Sequence, residues 1–134
     1  DVLKLRARLI AEAKTIEPGI AIALYKRAEK GAKATILAAQ VADTLINIAG
    51  IHVGVAINEY KDGSLGVSAR SDGSVNVQII MEELGGGGHQ TVAGVQLDNM
   101  RAADIEPQII ALAKKQLEQL EEKDNNESDS VTRC

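Results

Sequence analysis

Apolar positions at Val2, Leu5, Leu9, Ala13 and Ile16 recur at helical spacing until Pro18-Gly19 interrupts them, which predicts an amphipathic lead-in helix over residues 1–19. In Ile20-Ala21-Ile22-Ala23-Leu24-Tyr25 large residues alternate with alanine, the pattern of a strand covered on both faces with helices close over the alanines. The charged run from Lys26 to Lys33 reads as a solvated connection. A second helix is predicted over Thr35 to Ile48, with Leu37, Val41, Leu45 and Ile48 on one stripe, Ala38, Ala42 and Ile46 beside it, and Gly50 as the stop. Ile51, Val53, Val55 and Ile57 then alternate with His52, Gly54, Ala56 and Asn58, giving a strand with one bulky and one small face. Strand, helix and strand in this order favour a right-handed parallel crossover.

Asp62-Gly63 between two alternating segments is a hairpin signal. On the returning strand, period two puts Leu65, Val67 and Ala69 on one face and Gly66, Ser68 and Arg70 on the other. The turn Ser71-Asp72-Gly73-Ser74 leads into a helix capped by Ser74 or Asp72, with Val77, Ile80 or Met81, and Leu84 inward and Gly85 at its end. Ala93 to Leu97 reads as a last strand. Asp104 is expected to cap a final helix whose inner stripe is Ile109, Ala113, Leu117 and Leu120, with Pro107 tolerated in the first turn. From Glu121 to Cys134 the chain is polar and acidic, and disorder is expected. The fold class is therefore α/β: a mixed β-sheet with one parallel βαβ crossover and one antiparallel hairpin, flanked by helices, occupying residues 20–120 between the lead-in helix and a tail at 121–134.

Composition narrows the function. With 134 residues, 45% of them hydrophobic and 25% charged, the chain suits one soluble domain. Its only aromatics are Tyr25 and Tyr60, which removes base stacking on aromatic platforms, and its net charge of −4 argues against a long electrostatic footprint on nucleic acid. The single cysteine, Cys134, cannot form an internal disulfide and fits a reducing compartment. No signal peptide is visible, and no apolar run reaches the ~18 residues of a membrane span. The opening at Asp1, directly in a helical pattern, reads as a piece of something longer.

The candidate chemistry centres on Gly85-Gly86-Gly87-Gly88-His89. Consecutive glycines allow positive φ and leave no side chains before their N–H groups, so a small anion could rest on the main chain, with His89 adding a donor. The run lies between apolar segments, Val77 to Met81 and Val92 to Val95, which favours a specified turn over a flexible linker. It lacks the lysine and hydroxyl of a P-loop and the spacing of a dinucleotide fingerprint. On this reading Gly86→Val or Gly87→Val would abolish binding and spare the fold. Arg70 could clamp a phosphate beside Ser68, or be a solvated charge. Asn76 could reach a ligand or bond its own helix start, and His89 could merely cap a turn. The two histidines, far apart in sequence, make no metal site, and no nucleophile has an evident base.

Ser68-Ala69-Arg70-Ser71, Asn76-Val77-Gln78, Ile80-Met81-Glu82 and the glycine run with His89 together resemble the C-terminal, DHH-associated domain (DHHA type 1) of the DHH phosphoesterase family. With the helix Ala38-Ala39-Gln40-Val41-Ala42-Asp43-Thr44-Leu45, the string is most similar to the membrane-anchored cyclic di-AMP phosphodiesterases of the GdpP type. The resemblance runs from about Ile20 to Leu97. It implies a metal-dependent phosphodiesterase in which an upstream DHH domain holds two Mn²⁺ ions and this smaller domain closes over the nucleotide. Gly85, Gly86, Gly87, Gly88 and His89 would then bind phosphate or sugar, and Ser68, Arg70 and Asn76 would line the same cleft. The Asp-His-His motif is absent here, so no cofactor and no catalytic residue are expected on this chain. The expected partners are a cyclic dinucleotide or short oligonucleotide, the upstream DHH domain and, as an option, a second copy in a homodimer. The expected setting is the cytoplasmic side of a membrane-anchored protein, or else a soluble cytoplasmic one. Competing readings are an oligoribonuclease, pAp phosphatase or single-strand exonuclease of the same family, a nucleic-acid-binding appendage like that of alanyl-tRNA synthetases, and a scaffold that binds no nucleotide.

Overall fold

In the computed structural model, which describes residues 1–132 and side chains as far as 126, six strands form one mixed sheet. The strands are β1 (Lys14–Ile16), β2 (Ile20–Ala28), β3 (Val53–Tyr60), β4 (Leu65–Ser71), β5 (Gly87–Gly88) and β6 (Val92–Leu97), in the spatial order β1-β2-β3-β4-β6-β5. Only β2 and β3 run parallel, joined across the sheet by α2 (Ala32–Ile46), and every other pairing is antiparallel. The expected crossover and hairpin are both present.

Period two sorts the strands' side chains into two cores. On one face Ile20, Ile22, Val53, Val55, Ile57, Leu65, Val67 and Ala69 pack with Val77, Ile80 and Met81 of α3 (Val77–Glu83) and Ile105, Ile109 and Ala113 of α4 (Ala102–Thr132). On the other, Ala21, Ala23 and Ala56 receive Leu37, Ala38, Val41, Ala42 and Leu45 of α2, with Leu9 of α1 (Val2–Ala11) at the margin. Small residues set how close α2 can come: a Cβ at Gly54 would stand 3.1 Å from the Ala42 carbonyl oxygen. That helix lies mainly over β2, β3 and β4. The consequence is an uncovered α2-side face on β6 and β5, where Val92 is 45% exposed.

Several local expectations are corrected. The lead-in helix ends at Ala11, and Lys14–Ile16 doubles back as β1 against β2, closed by the bond from Gly19 N–H to the Ile16 carbonyl. Three residues, two of them exposed, are too few to display strand alternation. Strand β2 extends through the charged residues to Ala28, past a bulge at Lys26 to Ala28 with Arg27 at φ 57°. Helix α3 is capped by Asn76, whose side chain accepts from Ile79 N–H at 3.3 Å, while Asp72 and Ser74 bond each other in the preceding turn. Helix α4 starts at Ala102, before Asp104, and its first N–H donates to the Glu59 carboxylate of β3 at 2.9 Å. Pro107 consequently lies beyond the first turn. The acidic segment expected to be disordered continues α4 as helix to Thr132, with Glu121 to Asn126 all exposed; the rest of that expectation, on residues 133–134, lies outside the described residues.

Candidate functional site

Directly opposed residues in a β-ladder share a face. Ser68 stands opposite Ala56 on β3 and Gly94 on β6, and Gly94 stands opposite Gly87 on β5. The next row runs from Gly54 through Arg70 to Val92, whose carbonyl accepts from His89 N–H at 2.7 Å. Since Ala56 and Gly54 meet α2, both rows lie on the α2 side, and beyond the helix they form an open shelf. Ser68, Arg70, Gly87 and His89 are therefore brought to one face of the sheet.

The glycines work differently from a bare anion nest. The N–H groups of Gly85, Gly86 and His89 already donate to the carbonyls of Glu82, Met81 and Val92, at 3.0, 2.7 and 2.7 Å. What the run supplies is close approach and an empty floor. Gly85, at φ +95°, releases the chain from α3. A Cβ at Gly86 would overlap the Gly94 carbonyl oxygen and stand 2.6 Å from Val95 Cβ; at Gly87 it would meet nothing within 4 Å. Gly86 thus fits the turn against β6, and Gly87 leaves the shelf bare.

Arg70 has only 14% of its side chain exposed, and it is held at two points. Nε donates to Asp43 Oδ1 of α2 at 2.7 Å, and Nη1 donates to the Ala69 carbonyl at 3.0 Å. Nothing in the sequence pairs Asp43 with Arg70, because the contact depends on how far α2 reaches over β4. Asn76 is placed elsewhere. It exchanges two hydrogen bonds with Gln116 of α4, its N–H donating at 2.7 Å and its carbonyl accepting at 3.0 Å, and its side chain caps α3. This is the local role open to it from the outset.

The remaining histidine forms a latch the sequence does not reveal. His52 Nδ1 lies 2.6 Å from Asp72 Oδ2, and Asp72 Oδ1 accepts from the Ser74 N–H and hydroxyl. Burial pushes the Asp72 carboxyl up, but the bonds from Ser74 and His52 outweigh it and hold the pKa below the ordinary value. Together with the bond from Asp72 N–H to the His52 carbonyl, the pair ties the start of β3 to the end of β4.

Among the described residues no three His, Cys, Asp or Glu side chains are grouped to hold a metal. Among the described residues, too, no helix is long and apolar enough to cross a membrane. Two grooves lie away from the shelf: about 470 Å³ between α3 and α4, and about 350 Å³ beside the β1–β2 turn. The shelf itself is an open face that a second surface could close.

The sequence profile of the DHHA1 domain matches residues 18–120. The chain is 47% identical over 104 residues to the cyclic-di-AMP phosphodiesterase GdpP of Geobacillus thermodenitrificans, covering 78% of this chain and 16% of that protein. It is 41% identical over 106 residues to the cyclic-di-AMP phosphodiesterase PdeA of Listeria monocytogenes, covering 79% and 16%. It spans, in other words, 16% of the length of each of these curated relatives. An exopolyphosphatase-related protein from Bacteroides fragilis shares the fold with a TM-score of 0.75 at 16% identity, over 90% of this chain and 36% of that one. With most of its length matched by the profile and its mixed sheet shared by that structure, the chain belongs to the DHHA1 domain family of the DHH phosphoesterases.

Proposed function

We propose that this chain is the nucleotide-binding domain of a cyclic dinucleotide phosphodiesterase, and that its shelf holds a phosphate of cyclic di-AMP on the way to pApA. The observation that carries this reading is the convergence of Ser68, Arg70, Gly87 and His89 on one sheet face, at and beyond the margin of α2. Its chemistry suits a phosphodiester: a guanidinium supplies charge-assisted bonds, a hydroxyl and an imidazole supply further donors, and a floor without side chains admits the ligand to the backbone. The likeness to GdpP and PdeA supports a cyclic dinucleotide as the ligand class.

Cleaving a phosphodiester in this manner calls for metal ions that activate water and stabilise the leaving oxygen. The proposal assigns them, as Mn²⁺, to an upstream DHH domain that closes over the shelf, in a protein held at the membrane by segments outside this domain. What this chain contributes is binding and alignment.

Calorimetric titration of the chain with cyclic di-AMP, pApA and pAp, with Mn²⁺ present and products followed by chromatography, tests the division of labour. Weak binding of cyclic di-AMP without release of pApA is expected. Preference for pAp or short oligonucleotides would move the protein to another branch of the family, absence of binding would leave a scaffold, and release of pApA would require a metal centre on this chain.

A further inference from the structure

Asp43 is an anomaly if the shelf receives phosphate, because an exposed carboxylate stands beside the one guanidinium there. Its side chain is 61% exposed, so the carboxylate half of the pair stays in water, and such a pair contributes little to stability. The bond it makes is nonetheless short, 2.7 Å to Arg70 Nε. We infer that Asp43 is a positioning residue: it holds the Nε edge of Arg70 so that the outer end of the guanidinium faces a phosphodiester on the shelf. The inference rests on the reading of the shelf as the nucleotide site.

The argument is one of donors. Arginine carries five N–H groups in a fixed plane. Nε–H is taken by Asp43 and one Nη1 proton by the Ala69 carbonyl. One proton on Nη1 and two on Nη2 remain, which is the end-on fork that fits two oxygens of a phosphate. Without Asp43 the guanidinium keeps a single tether, and binding must then fix a side chain rich in rotamers. The opposite sign is equally definite: if Asp43 only competes with the ligand for Arg70, removing it would tighten binding.

The test uses the whole chain, cyclic di-AMP as ligand, and Asp43→Ala, Asp43→Asn, Arg70→Ala and the double variant Asp43→Ala/Arg70→Ala. Asp43→Ala is expected to weaken binding about fivefold to tenfold by loss of preorganisation. Asp43→Asn keeps an Oδ1 acceptor for Nε and should stay within about twofold of the parent. In the Arg70→Ala background the further loss of Asp43 should change nothing, the non-additivity of residues that act as a unit. The Arg70 Nε–H signal in ligand-free NMR spectra should weaken in Asp43→Ala and persist in Asp43→Asn. Unchanged or tighter binding by Asp43→Ala, or a loss additive with that of Arg70→Ala, would overturn the inference alone. Absence of binding by the parent chain would overturn the reading of the shelf, and this inference with it.

Discussion

Gly86→Val is expected to lower the melting temperature by roughly 10 °C or more, while Gly87→Ala leaves it within a few degrees. The two glycines are neighbours in one run, yet they face different surroundings. A Cβ at Gly86 would overlap the Gly94 carbonyl oxygen and press on Val95, both parts of β6 backed by the core, and neither can give way without moving the strand. Overpacking of this kind costs about 1–3 kcal/mol where side chains can adjust, and backbone on the receiving side puts it at or above the upper end. At Gly87 the added carbon meets nothing within 4 Å. The expectation from sequence that either central glycine could be replaced with loss of binding alone is thus divided: substitution at Gly86 is expected to act on the fold, and substitution at Gly87 on the proposed ligand. Thermal melts followed by circular dichroism decide the first half, and titration of Gly87→Val, whose bulk would stand on the shelf, decides the second.

Arg70→Ala is expected to weaken cyclic di-AMP binding roughly tenfold or more, and Ser68→Ala severalfold at most. A hydrogen bond to a charged group contributes about 1.5–3 kcal/mol against about 0.5–1.5 for a neutral one, and each ~1.4 kcal/mol is a factor of ten. Both residues sit on β4, two positions apart on one face, so a defect in the strand would affect the variants alike. The difference between them isolates charge. Isothermal calorimetry on variants with parental melting temperatures measures it, and equal, negligible losses would return Arg70 to a partner of Asp43 with no ligand role.

How legible the molecule was in its sequence depended on the range of the interactions. Elements with many repeats of their period were plain: the bulky and small faces of β2 and β3 appear in the structure as the two cores, and Leu37, Val41 and Leu45 of the α2 stripe lie in the second of them, although the helix stops at Ile46 and leaves Ile48 exposed. Short pieces were not, since Lys14–Ile16 and Gly87–Gly88 become strands only through pairing with β2 and β6. The acidic stretch after Leu120 offers no apolar stripe, yet as far as Thr132 it continues an existing helix and needs no new nucleus.

The site divides in the same way. Ser68 and Arg70 could be placed on one face by counting along β4, but their meeting with Gly87 depends on β6 lying between β4 and β5, an order no local pattern encodes. Asn76 lies close to Arg70 in the chain and still turns to Gln116, because its place at the start of α3 commits it to the face covered by α4. Asp43 and its bond to Arg70 come wholly from tertiary structure.

The most direct measurement of the central claim is an amide chemical-shift titration of the chain with cyclic di-AMP. Perturbations are expected to concentrate at Ser68, Arg70, Gly87, Gly88, His89, Val92 and Gly94, the two rows of the open shelf and their margin. The groove between α3 and α4, sampled by Ile79, Lys115 and Gln119, should stay unperturbed. Perturbations confined to that groove, or none at a nucleotide concentration that saturates binding by calorimetry, would contradict the assignment of the shelf as the nucleotide site.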